Sequence, residues 1–298
     1  MIAVTFDVDD VAWTIGEPSD EFRDAVPRIA SLLTDFAAVR TTWFIRLDAG
    51  IARVRGQPDA LFVAYHTLLA ALRGAGHEIA WHHHAVQPGT PNTPQTDSRA
   101  VCRALRDLAP CAKAWGLESV RMGWAYADPA IVSCLDDLGF KVDSTALPRP
   151  AYPWDVVPRD WESAPRRPYH PARDDHRGEG RPACALLEVP LSVAEIPADG
   201  DTQSNVQRYL NPAYHPAVFA RALRQVASAS SIVTVTHPYE CFPHADNARP
   251  DSNAHPLLAH DLAALRQNLT RLCSLDRPFV TLQQLGARHA TIARHDTA

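Results

Sequence analysis

The sequence predicts an α/β fold with mainly parallel strands, on three observations. Short apolar, β-prone runs alternate along the chain with longer segments in which apolar residues recur every three or four positions. Several of the runs end in carboxylates or histidines. The strand–helix order then repeats almost to the end of the chain, and in such folds the C-terminal strand ends are where a site is built.

Taken in order, Ile2 to Phe6 is the first predicted strand and leads into Asp7 and Asp9. Phe22, Val26, Ile29, Leu33 and Phe36 mark a helix, with Pro27 as a break or a second start inside it. Thr41 to Ile45 reads as the next strand, and Pro58 opens an amphipathic segment carrying Leu61, Tyr65, Leu68, Leu69 and Leu72 that Gly74 and Gly76 stop. His77 to Trp81 is a strand that delivers His82, His83 and His84. Asp128-Pro129 is an N-cap followed by a first-turn proline, opening a helix through Ile131, Val132, Leu135 and Leu138 to Gly139. Phe140 to Val142 is the strand after it.

Between Pro148 and Pro216 the texture changes, because 12 of the 25 prolines fall there, interleaved with Tyr152, Trp154, Trp161, Tyr169 and Tyr209. Leu186 to Val193 reads as a strand that tolerates Pro190 at an edge. The segment is an ordered insertion, and two readings of its aromatics stay open: a lid over substrate, or packing alone. A helix near Val218 to Ala227, a strand Ile232 to Thr236 ending in His237, a helix near Leu257 to Leu272 and a strand Phe279 to Thr281 complete the chain. With no repeat and no low-complexity tract, residues 1–298 are expected to form a single catalytic domain with insertion 148–216.

Composition narrows the function. At 298 residues with 46% hydrophobic and 21% charged residues the chain can bury a large core. Its 29 Lys+Arg against 34 Asp+Glu, a net charge of -5, supply no basic field for a phosphate backbone, so nucleic acid is not the expected partner. No apolar run reaches the roughly 18 residues of a membrane span, and the N-terminal residues do not read as a signal peptide, so the expectation is a soluble cytoplasmic protein. Cys102, Cys111, Cys134, Cys184, Cys241 and Cys273 are scattered without metal-site spacing and read as small hydrophobes.

The chemistry-bearing residues sit at the strand ends. Asp7 and Asp9, two apart, share a face in extended backbone, where a metal or an Arg relieves their repulsion and the two divide the work of ligand and general base. An isolated Asp-x-Asp is also what a solvated acidic loop presents, and Asp10 fits that alternative. His82 and His84 have the same spacing, so both imidazoles reach one metal while His83 faces away; three consecutive histidines also occur by accident on surfaces. Combined with Asp9 they make a His₂-Asp set, the three protein ligands of a catalytic divalent metal with a position left for water. Arg121 is either a surface cation or the group that fixes and keeps ionised the base carboxylate. His237 is either a satisfied histidine before a turn proline or a general acid.

These segments together resemble the polysaccharide deacetylase superfamily, also called carbohydrate esterase family 4. Thr5 to Asp9 is similar to its first motif, in which the leading Asp is the base and the following Asp binds metal. Gly76 to His82 resembles its metal-binding second motif, Arg121 to Tyr126 with Gly139 to Ser144 its third, and Thr236-His237-Pro238 stands where the family places its catalytic histidine. The sequence departs from the pattern at Val8, which separates aspartates that are usually adjacent, at Val86, which occupies the place of the second metal histidine, and at Gly123, near the position of a proline. Trp81-His82-His83-His84, the Tyr-His-Pro triplets at Tyr169 and Tyr214, and Asp143-Ser144 with Pro148-Arg149-Pro150 look most like the deacetylase-like proteins of bacterial O-antigen and lipopolysaccharide clusters.

The resemblance implies a distorted (β/α) barrel of about seven parallel strands. It implies a metal-dependent hydrolase that removes an N-acetyl or similar acyl group from an amino sugar of a cytoplasmic saccharide or O-antigen precursor. Asp9, His82 and His84 would hold the metal, zinc being the expected ion. Asp7, oriented by Arg121, would deprotonate the attacking water, and His237 would protonate the departing amine. Tyr152, Trp154, Trp161 and Tyr169 are candidates to stack on sugar rings. The alternatives are a catalytically inactive saccharide-binding or assembly protein on the same fold, and a hydrolase of a non-sugar amide or ester.

Overall fold

The architecture follows from how seven short, fully buried strands cover one another. The computed structural model describes residues 1–9, 21–90, 93–243 and 256–295, so Asp10 lies outside the described residues. Its strands are β1 (Ile2–Val8), β2 (Thr41–Arg46), β3 (Glu78–His83), β4 (Ser119–Met122), β5 (Val142–Asp143), β6 (Leu187–Glu188), β7 (Val193–Glu195), β8 (Gln207–Tyr209) and β9 (Ile232–Thr236). Seven of them form one parallel sheet in the order β6-β5-β4-β3-β2-β1-β9, while β7 and β8 pair separately as an antiparallel ribbon. Between the sheet's two ends the backbone runs on without a regular ladder. Leu191 donates to Ala146 O at 2.9 Å, Ser192 to Val233 O at 3.0 Å and Val235 to Leu210 O at 3.1 Å. The result is the distorted α/β barrel that the sequence predicts.

The helices surround this sheet: α1 (Val26–Leu33), α2 (Ala49–Arg55), α3 (Ala60–Ala64), α4 (His66–Gly74), α5 (Ser98–Ala114), α6 (Pro129–Asp137), α7 (Pro216–Val226), α8 (Leu262–Cys273) and α9 (Leu282–His295). Buried on both faces, the strands are rich in β-branched and aromatic residues, and Phe6 of β1 stacks on Trp43 of β2 with centroids 4.4 Å apart. Asp128 caps α6 by accepting from Ile131 N at 2.9 Å, as its Asp-Pro signature predicts.

Several elements differ from the sequence reading. Pro27 is a second start: a π-turn over Glu21–Ala25 passes into α1 with Pro27 in its first turn. The segment after Pro58 breaks at Tyr65 into α3 and α4. The strand expected over Leu186 to Val193 divides into β6 and β7. The amides of Leu187, Val189 and Leu191 face β5 and its continuation, which leaves the donor-less nitrogen of Pro190 on the opposite side. The expected strand at Phe279 to Thr281 is a single parallel bridge to Ile2, and the helix expected from Leu257 begins at its Asp261 cap. Helices α5 and α9 have no counterpart among the elements expected from the sequence.

Candidate active site

The strand registers bring the predicted residues to one end of the barrel. His82 stands beside Arg46 of β2 and Arg121 of β4, while Phe6 stands beside Thr236, which puts His237 next to Asp7. Alternation then selects the inward set. Thr5, Asp7 and Asp9 of the first strand and its extension share one side, and so do His82 and His84, whereas His83 turns outward to lie against Trp81 at 5.3 Å. A cavity of about 370 Å³ opens here, and Asp7, Asp9, His82, His84, Arg121 and His237 all line it.

Asp9, His82 and His84 are buried and present their ligand atoms to one another. Asp9 Oδ1 lies 3.1 Å from His82 Nε2 and 3.2 Å from His84 Nε2, and the two Nε2 atoms are 2.9 Å apart. A tetrahedron with bonds of about 2.0–2.1 Å has edges of about 3.3 Å, so this triangle is the right size for one face of a four-coordinate divalent ion. Charge state agrees. Burial, reinforced by Arg46, pushes His84 down to about 4, so its imidazole is neutral at physiological pH. Burial opposes ionisation of Asp9, but His84 and His82 outweigh it and hold the carboxyl well below its ordinary value. His82 Nδ1 lies 3.0 Å from the carbonyl oxygen of Arg121; donating there leaves the Nε2 lone pair for a ligand. Asp9 Oδ1 is buried and accepts no hydrogen bond, a cost that a cation removes. The donor set therefore fits a metal, with His84 as its third member.

Gly123 leaves room for the His84 ring. A Cβ there would fall 2.5 Å from His84 Cγ and Cδ2 and 2.6 Å from Nε2. The His84 ring therefore occupies space that any side chain at position 123 would fill. The turn is tight, with Trp124 and Ala125 at φ of 55° and 52°, and the Trp124 ring closes on His84 at 4.5 Å.

Asp7 is held from beneath. Arg121 Nη1 donates to Asp7 Oδ1 at 2.6 Å and to Thr5 Oγ1 at 2.8 Å, while its Nε and Nη2 bond Ser144 O and Oγ at 2.7 and 2.9 Å. Its guanidinium also lies 4.1 Å over the Phe44 ring. Arg121 is buried, which removes the surface-cation alternative. His237 Nε2 lies 3.6 Å from Asp9 Oδ2 on one side, and its Nδ1 lies 3.3 Å from Glu240 Oε1 on the other. Burial lowers the His237 pKa, but the carboxylates of Glu240, Asp9 and Asp7 outweigh it and raise it to about 10 in the metal-free chain.

Supporting residues absent from the sequence reading complete the site. Arg46 and Asp48, both fully buried, pair at 2.6 Å. Asp48 caps α2 through Gly50 N and Ile51 N and also accepts from His84 N at 3.2 Å. Glu240 accepts from His237 N and Asn211 Nδ2, both at 2.8 Å. Both carboxylates had a local signal: Asp48 precedes a helix, and Glu240 follows His237 at the capping-box spacing. Among the aromatic candidates, Tyr152 and Trp154 line the cavity and stack on each other at 4.7 Å. Trp161 and Tyr169 are core residues instead, each 1% exposed, their polar atoms bonded to the carbonyls of Ala125 and His176.

No family model and no curated protein matches the chain. Solved structures do. A Mycobacterium smegmatis protein described as a candidate polysaccharide deacetylase superposes with a TM-score of 0.53 at 20% identity, over 98% of this chain and 91% of that one. The fold is that of the polysaccharide deacetylases. A 4-alpha-glucanotransferase from Thermococcus litoralis shares the barrel, with a TM-score of 0.50 at 10% identity over 97% of this chain and 38% of its own. A Bordetella bronchiseptica protein described as a candidate polysaccharide deacetylase involved in O-antigen biosynthesis aligns over 96% of this chain and 90% of its own, at 15% identity and a TM-score of 0.36. The deacetylase fold is thus common ground for different chemistries, and function rests on the site. Among the described residues no helix is long and apolar enough to cross a membrane.

Proposed function

We propose that the protein is a metal-dependent hydrolase that removes an acetyl or similar small acyl group from the nitrogen of an amino sugar in a saccharide precursor. The observation that carries this reading is the juxtaposition, in one cavity, of the Asp9–His82–His84 triangle, a separate carboxylate bound to Arg121, and His237. Asp9, His82 and His84 would hold the ion, with zinc the choice that a mixed imidazole and carboxylate set favours. Bound there, the metal supplies Lewis acidity to the acyl carbonyl and acidity to a water.

The chain's own residues carry the protons. Asp7, fixed by the Arg121 guanidinium, takes the proton from the attacking water. His237, beside the Asp9 oxygen that the two ligand imidazoles do not approach, gives its proton to the departing amine, and Glu240 sets its orientation. Trp154, 48% exposed and stacked on Tyr152, offers a face for a sugar ring or its aglycone. No disulfide joins the six cysteines among the described residues, which fits a reducing cytoplasm as the working compartment.

The test is acetate release from N-acetylated amino sugars by protein supplied with zinc, beside Asp7→Asn. Release by the native chain, with a loss of at least a thousandfold in Asp7→Asn and unchanged zinc content, is the expected result. Equal release by both proteins would remove Asp7 as the base. Zinc binding without release from any amide or ester would favour a binding protein on this fold.

A further inference from the structure

The cavity that holds the metal triangle is also lined by arginines that the site above does not use, Arg149, Arg159 and Arg208. Arg208 is neutralised by a two-pronged pair with Asp201, its Nη1 at 2.9 Å from Oδ2 and its Nη2 at 2.5 Å from Oδ1. Arg149 and Arg159 differ, because both ion pairs go to one carboxylate: Arg149 Nη2 and Arg159 Nη1 each lie 2.6 Å from Asp155 Oδ1. Asp155 is also saturated, its Oδ2 accepting from Arg149 Nη1 at 3.0 Å and from Tyr152 N at 2.9 Å. Among the described residues, one guanidinium charge of this pair is therefore left without a carboxylate of its own.

Arg159 is the one of the two with a whole terminal nitrogen left, since both of Arg149's already donate. Its Nε donates to the Trp124 carbonyl at 2.6 Å and its Nη1 to Asp155, while Nη2 has no hydrogen-bond partner among the described residues. The side chain is 17% exposed, so the cation is largely withdrawn from bulk water. Burial lowers the Arg159 pKa, Asp155 works against that, and Arg149 adds to the lowering. A half-buried cation sharing its counter-ion gains more than a solvated one from an incoming anion, and a guanidinium matches the geometry of a phosphate or carboxylate. The position is close to the chemistry. The Trp124 whose carbonyl Arg159 holds packs its ring on His84. On the outer side, Arg149 lies 4.6 Å over Tyr152, which stacks on the half-exposed Trp154.

We propose that the cavity selects an amino sugar bearing an oxyanion, a phosphate or a carboxylate, which the Arg159 guanidinium receives beside the reacting acyl group. The proposal rests on the hydrolase reading for the acyl group but not for the charge, so the two can fail separately. Arg208 and Arg149 shape the pocket, and the Tyr152–Trp154 stack supplies an apolar face for whatever the anion is linked to.

The experiment is calorimetric titration of the purified protein with N-acetylglucosamine and N-acetylgalactosamine, each as the neutral sugar, the 1-phosphate, the uridine-diphosphate conjugate and the corresponding uronic acid. At least one charged form is expected to bind tenfold or more tightly than its neutral parent, with a preference that shrinks as salt rises. The sugar phosphate and the uronic acid identify which oxyanion is read, and the conjugate reports on the stacked pair. Arg159→Gln is expected to bring charged and neutral forms within about threefold of each other, and Arg159→Lys to retain part of the preference. An Arg159 that serves only to hold the Trp124 turn would weaken every ligand alike. Melting curves of both variants establish that they fold, and the panel on the native chain stands without them. No gain from either oxyanion, whether all the sugars bind alike or none binds, overturns the proposal. Charge-selective binding without acetate release would retain it and overturn the hydrolase reading; acetate release without charge preference would do the reverse.

Discussion

Replacing Gly123 by alanine tests the structural basis of the altered ligand set. The added methyl carbon would lie 2.5 Å from two carbons of the His84 ring, where carbon pairs settle at about 3.5–4.0 Å, so the ring must retreat by about 1 Å. It cannot turn in place, because Trp124 packs on it at 4.5 Å and Asp48 holds its backbone amide at 3.2 Å. Metal–ligand bonds tolerate about 0.2 Å, so a 1 Å retreat takes His84 Nε2 out of the coordination sphere. Disturbing the groups that merely orient a ligand costs about 10–100-fold in metal affinity, and removing the ligand should reach or exceed the upper end. We expect about a hundredfold loss, equivalent to about 2.7 kcal/mol. Gly123 does not have a left-handed φ, so alanine is acceptable to the backbone. The assay is competition for zinc and cobalt with a chromophoric chelator, with Gly74→Ala as the control because no atom lies within 4 Å of its Cβ position. If Gly123→Ala binds zinc within threefold of the native chain, His84 is not a ligand in the way described.

Three further outcomes follow from the site. His237→Gln should lower turnover by about 10²–10⁴-fold while leaving zinc affinity within a few-fold, the signature of a lost general acid, as measured by acetate release and zinc titration. Asp48→Asn removes the buried carboxylate that pairs with Arg46 and should cost about 3–5 kcal/mol, a drop in Tm on the order of 10 °C; a fall below 2 °C would show that the pair is dispensable. Burial raises Asp143 to about 6 and, with Asp143 as neighbour, raises Glu188 well above its usual value. At this pair the folded chain holds protons that the unfolded chain has released, starting near the ordinary carboxylate value of about 4 and continuing through about 6 and beyond, so the pair's contribution to stability falls as pH rises across that window. Urea unfolding between pH 4 and 7 should show the stability of the native chain falling relative to Asp143→Asn, and a constant difference would contradict it.

Much of the site was legible because it repeats one simple rule. Asp7 and Asp9, and then His82 and His84, are two apart at the ends of apolar runs, and extended backbone sends such pairs to one face. The parallel arrangement of those runs does the rest. What the sequence withheld depends on partners distant along the chain. Nothing local distinguishes Gly123 from an ordinary turn glycine, since its meaning lies in the His84 ring against it. Arg46 reads as an intrusion into a strand until Asp48 and the Asp9 carbonyl, 3.4 Å from its Nη1, are seen around it. Residue type alone separates neither Trp154 from Trp161 nor Tyr152 from Tyr169, because which aromatic faces a cavity is decided by packing across the whole Pro148 to Pro216 stretch. In the fold, α5 carries Pro110 in its interior, a residue that ordinarily argues against a helix. The run at Phe279 to Thr281 has the local character of a strand but makes only a single bridge, because the number of partners is a tertiary property.

Everything proposed for the site depends on Asp9, His82 and His84 holding one metal ion. Its most direct test is metal content by mass spectrometry of the native chain and of His84→Ala, both purified without a histidine tag and offered micromolar zinc. Close to one zinc per native chain is expected, and loss of that zinc in His84→Ala. A native chain that takes up no zinc, cobalt or nickel under those conditions, or a variant that keeps its full complement, would contradict it.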